Sequence, residues 1–251
     1  MAGLSRQVLI EARRGGLVLL VLGAVGVALL IAEFLSQVAI VEAKQLQASM
    51  VAVLLRGCSV FLIASYVVGS TVREYNDKGL ELYLSLPISR AAYYLGRLGG
   101  YACVGVGVAL VMALPLLLWV PPQSVLPWAV SLCFENLLVA CAALFFAIAF
   151  MQVLSALSAL TGLYLLGRSI AVMQALTTGP LVEDSALQRF AGRVTDAVSY
   201  LLPRLDLATR TDWLLYGIPG VGTYLEMLAG LAAYSFLLAA AGMFDLYRRN
   251  L

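Results

Sequence analysis

Five ionisable residues, Glu33, Arg56, Glu135, Arg168 and Glu226, stand inside or near the ends of long apolar runs. If those runs cross a bilayer, an ionised side chain at mid-helix costs roughly 2.5–3.5 kcal/mol, so each needs a partner or water. Two chemistries suit such groups. They can pair between helices, with Arg56 meeting Glu33 and Arg168 meeting Glu135, or they can line a polar path where two copies of the chain meet. Near the end of a run, a long side chain can also reach up to the headgroups.

Other chemistries lack their residues. The sequence contains no histidine, which removes the commonest general base, the commonest transition-metal ligand and every histidine-dependent triad. The four cysteines, Cys58, Cys103, Cys133 and Cys141, are widely spaced within apolar runs, as expected of small buried hydrophobes. The isolated acids do not form the paired motifs of an intramembrane aspartyl protease. No phosphate loop of the form G-x-x-x-x-G-K-[ST] occurs, so ATP hydrolysis is not expected of this chain. The expectation is a non-catalytic subunit that binds no cofactor or metal, and the small net charge of +2 gives no reason to expect nucleic acid.

The elements holding these residues follow from composition. Of the 251 residues 62% are hydrophobic and 12% charged, against about 25% charge in a soluble domain, so much of the surface must face lipid. Runs of about 20 apolar residues cover some 30 Å of hydrocarbon, and six can be marked, at 17–40, 48–72, 91–120, 125–147, 154–176 and 218–244. The spacing therefore predicts an all-α polytopic membrane protein. Pro121, Pro122 and Pro127 are expected in the turn between the third and fourth spans. Residues 1–16 read as a basic interfacial segment ahead of a six-span domain over 17–251. The first apolar run is too long for a signal-peptide core and is expected to remain as a span.

Six spans place both termini on one side. That side collects Arg6, Arg13, Arg14, Arg73, Lys78, Arg90, Arg97, Arg248 and Arg249, so it is expected to be cytoplasmic, in a bacterial inner membrane. On the other side, segment 179–217 contains Leu187, Phe190, Ala191, Val194, Ala197, Val198 and Leu201 at helical spacing, opposite Gln188, Arg189, Arg193 and Asp196. Such a helix lies on or dips into the outer leaflet, or packs on its own bundle. Pro203 ends it, and Trp213 and Tyr216 stand where an interfacial aromatic belt is expected. Between the second and third spans, residues 72–87 start charged and turn leucine-rich, with a pattern that fits helix and strand equally. Ser89 is a candidate N-cap for the third span.

The run Arg73-Glu74-Tyr75-Asn76-Asp77-Lys78-Gly79-Leu80-Glu81-Leu82-Tyr83-Leu84-Ser85-Leu86-Pro87-Ile88-Ser89-Arg90, followed by Tyr94-Leu95-Gly96-Arg97, resembles the first cytoplasmic loop of ABC-2 type exporter permeases. Those loops have an acidic residue, a glycine, a Leu-Glu-Leu-like stretch and a Leu-Pro-x-Ser-Arg turn in this order. The resemblance extends loosely over the chain and is closest to the subgroup that accompanies maturation of multicopper enzymes such as nitrous-oxide reductase. It implies an ABC-2 exporter-like (type V ABC transporter) fold and a dimer of permease chains. Two separate ATPase subunits would carry ATP and Mg, and loop 73–90 would form a coupling helix seated on them. Carried over by position, Glu74, Asp77, Lys78, Gly79, Leu80 and Glu81 become ATPase contacts, while Leu86 and Pro87 turn the chain back into the membrane. The implied function is export of an unidentified substrate or, alternatively, work on an extracytoplasmic accessory protein during copper-enzyme maturation. The uncharged turn at Phe150, Met151 and Gln152 leaves room for only a small second contact.

Overall fold

A computed structural model describes residues 2–38, 43–77, 89–178, 186–217 and 220–248. These form helices α1 (Ala2–Arg14), α2 (Leu17–Val38), α3 (Ala43–Asn76), α4 (Arg90–Ala113), α5 (Pro122–Phe150), α6 (Val153–Thr178), α7 (Ala186–Leu201), α8 (Asp212–Tyr216) and α9 (Val221–Arg248), with a 3₁₀ turn at Leu114–Leu118. Six of them are long and apolar enough to cross a membrane: α2, α3, α4 with its 3₁₀ extension, α5, α6 and α9. The chain is an all-α, multi-pass membrane protein. Up-and-down order puts the first residues of α2 and the last of α9 on one face, here the terminal face. It shares that face with the ends of α3 and α5 and the starts of α4 and α6.

Helix α5 is the central post, packing on α3, α4, α6 and α9. Its apolar residues are spread all round rather than along one face, as suits a helix surrounded by others, and Ser131, Glu135 and Asn136 are buried among them. Trp128, Leu132, Ala140, Ala142 and Ala143 along it are fully buried. Its start corrects the expected turn, because helix begins at Pro122 and Pro127 lies inside it. Pro122 needs no hydrogen-bond partner in a first turn, and Pro127 interrupts the ladder only one turn in. At the far end Met151 (φ 55°) caps α5 in the left-handed region, so α5 and α6 are joined by two residues. Ser89 caps α4 as expected, its Oγ accepting from the Ala92 N–H at 3.2 Å.

Helices approach closely where glycine removes a side chain. A Cβ on Gly100 of α4 would lie 2.7 Å from Cβ of Val8, so α1 is pressed onto α4 there. A Cβ on Gly242 of α9 would sit 2.5 Å from the Tyr94 hydroxyl. Of the glycines expected to serve this purpose, Gly105 does, facing Asn136. Gly23, Gly26 and Gly107 would meet nothing within 4 Å among the described residues.

The segment after α6 turns back along it. Helix α7 packs on α6, and a Cβ on Gly167 would meet the Pro203 carbonyl at 2.8 Å. The Tyr234 hydroxyl donates to the Leu201 carbonyl at 3.1 Å, although Tyr234 lies about 20 Å along α9 from its first residue at 1.5 Å rise per residue. The segment is therefore re-entrant. Gly192 and Thr195 form its buried seam, while Phe190, Val194 and Leu201 of the apolar stripe are exposed. Exposed apolar residues flanked by the exposed Arg193 and Asp196 are the surface of an interfacial helix. Trp213 is buried, edge-on to Tyr224 at 5.5 Å, whereas Tyr216 is exposed.

Candidate functional site

Polar side chains buried among these helices gather at three levels. At the terminal face Arg97 of α4 is the hub. Its guanidinium pairs with Glu74 of α3 through Nη2 and lies 3.6 Å from Glu11 of α1 through Nη1. It also stacks over the Tyr101 ring at 5.7 Å. The Ser70 hydroxyl donates to Glu11 at 2.9 Å, the Tyr101 hydroxyl donates to Ser70 at 3.2 Å, and Tyr66 donates to the Val8 carbonyl at 2.8 Å. One buried cation thus joins α1, α3 and α4 near the end of α3 and within the first turns of α4. Arg97 is readable in the sequence as a charge needing a partner, because it is the seventh residue of the 91–120 run, although it also counts among the terminal-face charges.

Midway along the bundle, Asn136 of α5 donates to the Ser59 hydroxyl of α3 at 2.8 Å and to the Gly105 carbonyl of α4 at 3.0 Å. All the polar atoms in this tie are buried and partnered, so it fixes three spans in register.

At the opposite face the re-entrant segment continues past Pro203 as irregular backbone, with Leu205, Ala208 and Thr209 fully buried. Non-helical backbone at such depth persists only when protein groups satisfy its carbonyls. Two of the charges noted in the sequence do this. Arg168 Nη1 donates to the Ala208 carbonyl at 2.7 Å and to the Leu205 carbonyl, and Arg56 Nη1 donates to the Thr209 carbonyl at 2.9 Å. Thr209 adopts φ 47°, a conformation costing a β-branched residue about 1–3 kcal/mol. It is held there by three contacts besides Arg56. Its N–H donates to Ser131 Oγ at 2.9 Å, its hydroxyl meets Ser131 Oγ at 3.1 Å, and the same hydroxyl donates to Glu135 at 2.5 Å. The second Glu135 oxygen accepts from the Tyr164 hydroxyl at 2.7 Å.

The expected ion pairs are corrected accordingly. Arg56 turns toward the re-entrant segment on the side of α3 away from Glu33, which is exposed near the end of α2. Glu135 and Arg168 lie in one cluster and attract each other, but each is hydrogen-bonded to other groups, with no direct pair between them among the described residues. Neither contact was legible, since the partners are carbonyls of a segment with no regular pattern. Glu226 is exposed on α9 near its start.

Of the expected ATPase contacts, Glu74 lies on α3 with its carboxylate against Arg97, and Asp77 is exposed one residue beyond that helix. Lys78, Gly79, Leu80, Glu81, Leu86 and Pro87 lie outside the described residues.

Fold and buried polar clusters together define a multi-pass membrane protein whose charges hold helices and a re-entrant segment in place. The chain matches no protein-family model and no curated protein.

Proposed function

We propose that the chain is the membrane-spanning permease subunit of an ATP-binding cassette transporter of the ABC-2 type, driven by a separate ATPase chain. The observation that carries this reading is the run from Arg73 to Arg90, with its acidic residues, glycine and Leu-Pro-x-Ser-Arg turn, between the second and third spans. In this reading the terminal face is cytoplasmic, because the connecting segments there collect most of the arginines. The membrane is a bacterial inner membrane, and the working unit contains two permease chains and two ATPases. ATP and Mg are bound by the ATPases, and this chain performs no hydrolysis.

The Arg97 network suits the task. A load on loop 73–90 reaches the end of α3 and the start of α4 first. The buried Arg97, holding Glu74 and Glu11, obliges α1 to move with them, so a stroke becomes a rigid-body displacement of three elements. Glu74 in this reading transmits the stroke from inside the bundle, and Asp77, exposed at the tip of α3, is free to meet the ATPase surface.

The test is affinity purification of the tagged chain from native membranes under mild detergent. A nucleotide-hydrolysing chain at equal stoichiometry, lost on Gly79→Pro with membrane insertion retained, is the expected result. Repeated recovery of the chain with no such partner refutes the reading.

A further inference from the structure

Behind the corner where Gly16 (φ 78°) turns α1 into α2, a crevice of about 210 Å³ opens between α1, α2 and α3 on the side of the termini. One wall is a stripe of α3, Leu62, Ser65, Gly69 and Arg73, at the three- and four-residue spacing of a single helix face. Gly69 keeps this wall low, since a Cβ there would meet nothing within 4 Å. Across from it stand Gly15, just past the end of α1, and Leu17 and Leu20 in the first turn of α2.

A hydrogen bond sets the depth of these residues. Gln47 of α3 donates to the Ala32 carbonyl of α2 at 2.8 Å, which fixes the register of the two antiparallel helices. Moving equally far toward the terminal face, from 47 to 62 on α3 and from 32 to 17 on α2, brings Leu62 level with Leu17, the first residue of α2. The 22 residues of α2 extend about 33 Å at 1.5 Å per residue, close to the thickness of the hydrocarbon, so Leu17 and Leu62 mark its edge. Ser65, Gly69 and Arg73 then stand about 5, 11 and 17 Å beyond that edge. The Arg73 side chain leans back toward them, because helix side chains tilt toward the N-terminus of their helix and α3 starts at the opposite face. The crevice is therefore apolar at its inner end and polar at its outer end, the order of a phospholipid in that leaflet.

Its outer donors are open. Among the described residues Arg73 has no acidic partner and the Ser65 hydroxyl has no acceptor. Glu11, the carboxylate in the lining, is engaged, accepting from Ser70 at 2.9 Å and lying 3.6 Å from Arg97. Around the crevice Arg6, Arg13, Arg14, Arg73 and Arg97 face Glu11, Glu74 and Asp77, five positive charges against three negative. Arg90, Arg248 and Asp245, the other described charges of this face, add one more positive charge, so the excess is not cancelled by its neighbours.

We infer that this crevice binds the headgroup of an anionic phospholipid in the leaflet on the side of the termini. The phosphate lies between Arg73 and Ser65, with Arg14 beside Gly15 at the rim, and the acyl chains leave past Leu17, Leu20 and Leu62 into the hydrocarbon. A zwitterionic headgroup brings an ammonium group into a region that is already positive, and a free anion leaves the apolar inner end unexplained. Basic pockets between transmembrane helices are a recurrent solution for anionic headgroups. The neighbouring surface of α1 has the same character, with Leu9 and Ile10 exposed between Arg6 and Arg13. The inference stands without the ATPase partner, so its test uses this chain alone.

That test is native mass spectrometry of the detergent-purified full chain titrated with phosphatidylglycerol or phosphatidylcholine. Phosphatidylglycerol is expected to bind about tenfold tighter, the order that an excess of two positive charges near an anionic headgroup supplies. Arg14→Gln/Arg73→Gln is expected to remove that preference, since both side chains are exposed and neither holds another element in place. Should the double variant fail to fold, Arg73→Gln alone is read and is expected to reduce the preference. Gly69→Leu fills the crevice from a position where a side chain has room, and is expected to weaken phosphatidylglycerol binding about tenfold. Equal affinity of the unaltered chain for the two lipids overturns the inference, as does a preference that survives the arginine substitutions or binding untouched by Gly69→Leu. Full displacement of phosphatidylglycerol by millimolar inorganic phosphate also overturns it, by assigning the crevice to a free anion.

Discussion

The two faces of the molecule hold their arginines in opposite ways, one buried at the terminal face and two half-buried at the other. At the terminal face Arg97 meets two carboxylates from different helices, so the charge is met by charge and three elements are locked together. At the opposite face Arg56 and Arg168 meet backbone carbonyls, so the charge supports a segment that could not otherwise lie within the bundle. The first arrangement resists relative movement of helices, and the second permits a non-helical element at membrane depth. A load applied to loop 73–90 would therefore be passed on by the first, while the second holds the re-entrant segment.

The largest effect that separates the two is expected from Arg97→Met. It strands Glu74 and Glu11 without their cation and should destabilise the purified chain by about 3–5 kcal/mol, read as the midpoint of thermal unfolding in detergent. Adding Glu74→Gln to it should recover part of the loss, and a double variant no more stable than the single one breaks the description of Arg97 as a hub. Arg168→Met is expected to cost about 2–3 kcal/mol, because the Leu205 and Ala208 carbonyls lose their donor. Its signature should be local, with proteolytic cleavage in 203–211 appearing well below the global unfolding midpoint. Cleavage spread evenly over the chain would erase the distinction between the faces. Asn136→Leu removes the tie between them and should cost about 1–3 kcal/mol without exposing either region selectively, as limited proteolysis would check.

The smallest effect is the most discriminating for the terminal face. Glu74→Gln should lower the stability of the chain alone, since its carboxylate faces Arg97, whereas Asp77→Asn should leave stability within about 0.5 kcal/mol and alter only ATPase association. Equal behaviour of the two in the isolated chain would return Glu74 to the loop surface.

Hydropathy carried the spans, and side-chain spacing carried α7, because those signals are local. Ser89 was readable for the same reason, as a cap needs only its own next turn. Pro127 misled because a proline one turn into a helix and a proline in a loop look alike in sequence. The glycines at the tightest approaches, Gly100, Gly167 and Gly242, are indistinguishable in sequence from those that meet nothing, since their role depends on Val8, Pro203 and Tyr94 arriving opposite them. The charged positions were identifiable as requiring partners, but the partners were not. Arg56 and Arg168 bind carbonyls whose position is set by where a segment without periodicity comes to rest, and only the packed chain brings Thr209 to the first and Leu205 and Ala208 to the second. Glu74 carries two signals at once, a place in the loop motif and a place one turn above Asp77 on α3, and packing gives its carboxylate to Arg97.

The most direct test of the central claim is cross-linking from single cysteines, with the four native cysteines replaced, in native membranes containing the whole assembly. The account predicts that Asp77→Cys, exposed beyond α3, cross-links to a nucleotide-hydrolysing chain, and that Gln123→Cys, exposed at the start of α5 on the opposite face, does not. A cross-link to such a chain from Gln123→Cys and none from Asp77→Cys would contradict both the coupling role of loop 73–90 and the cytoplasmic placement of the terminal face.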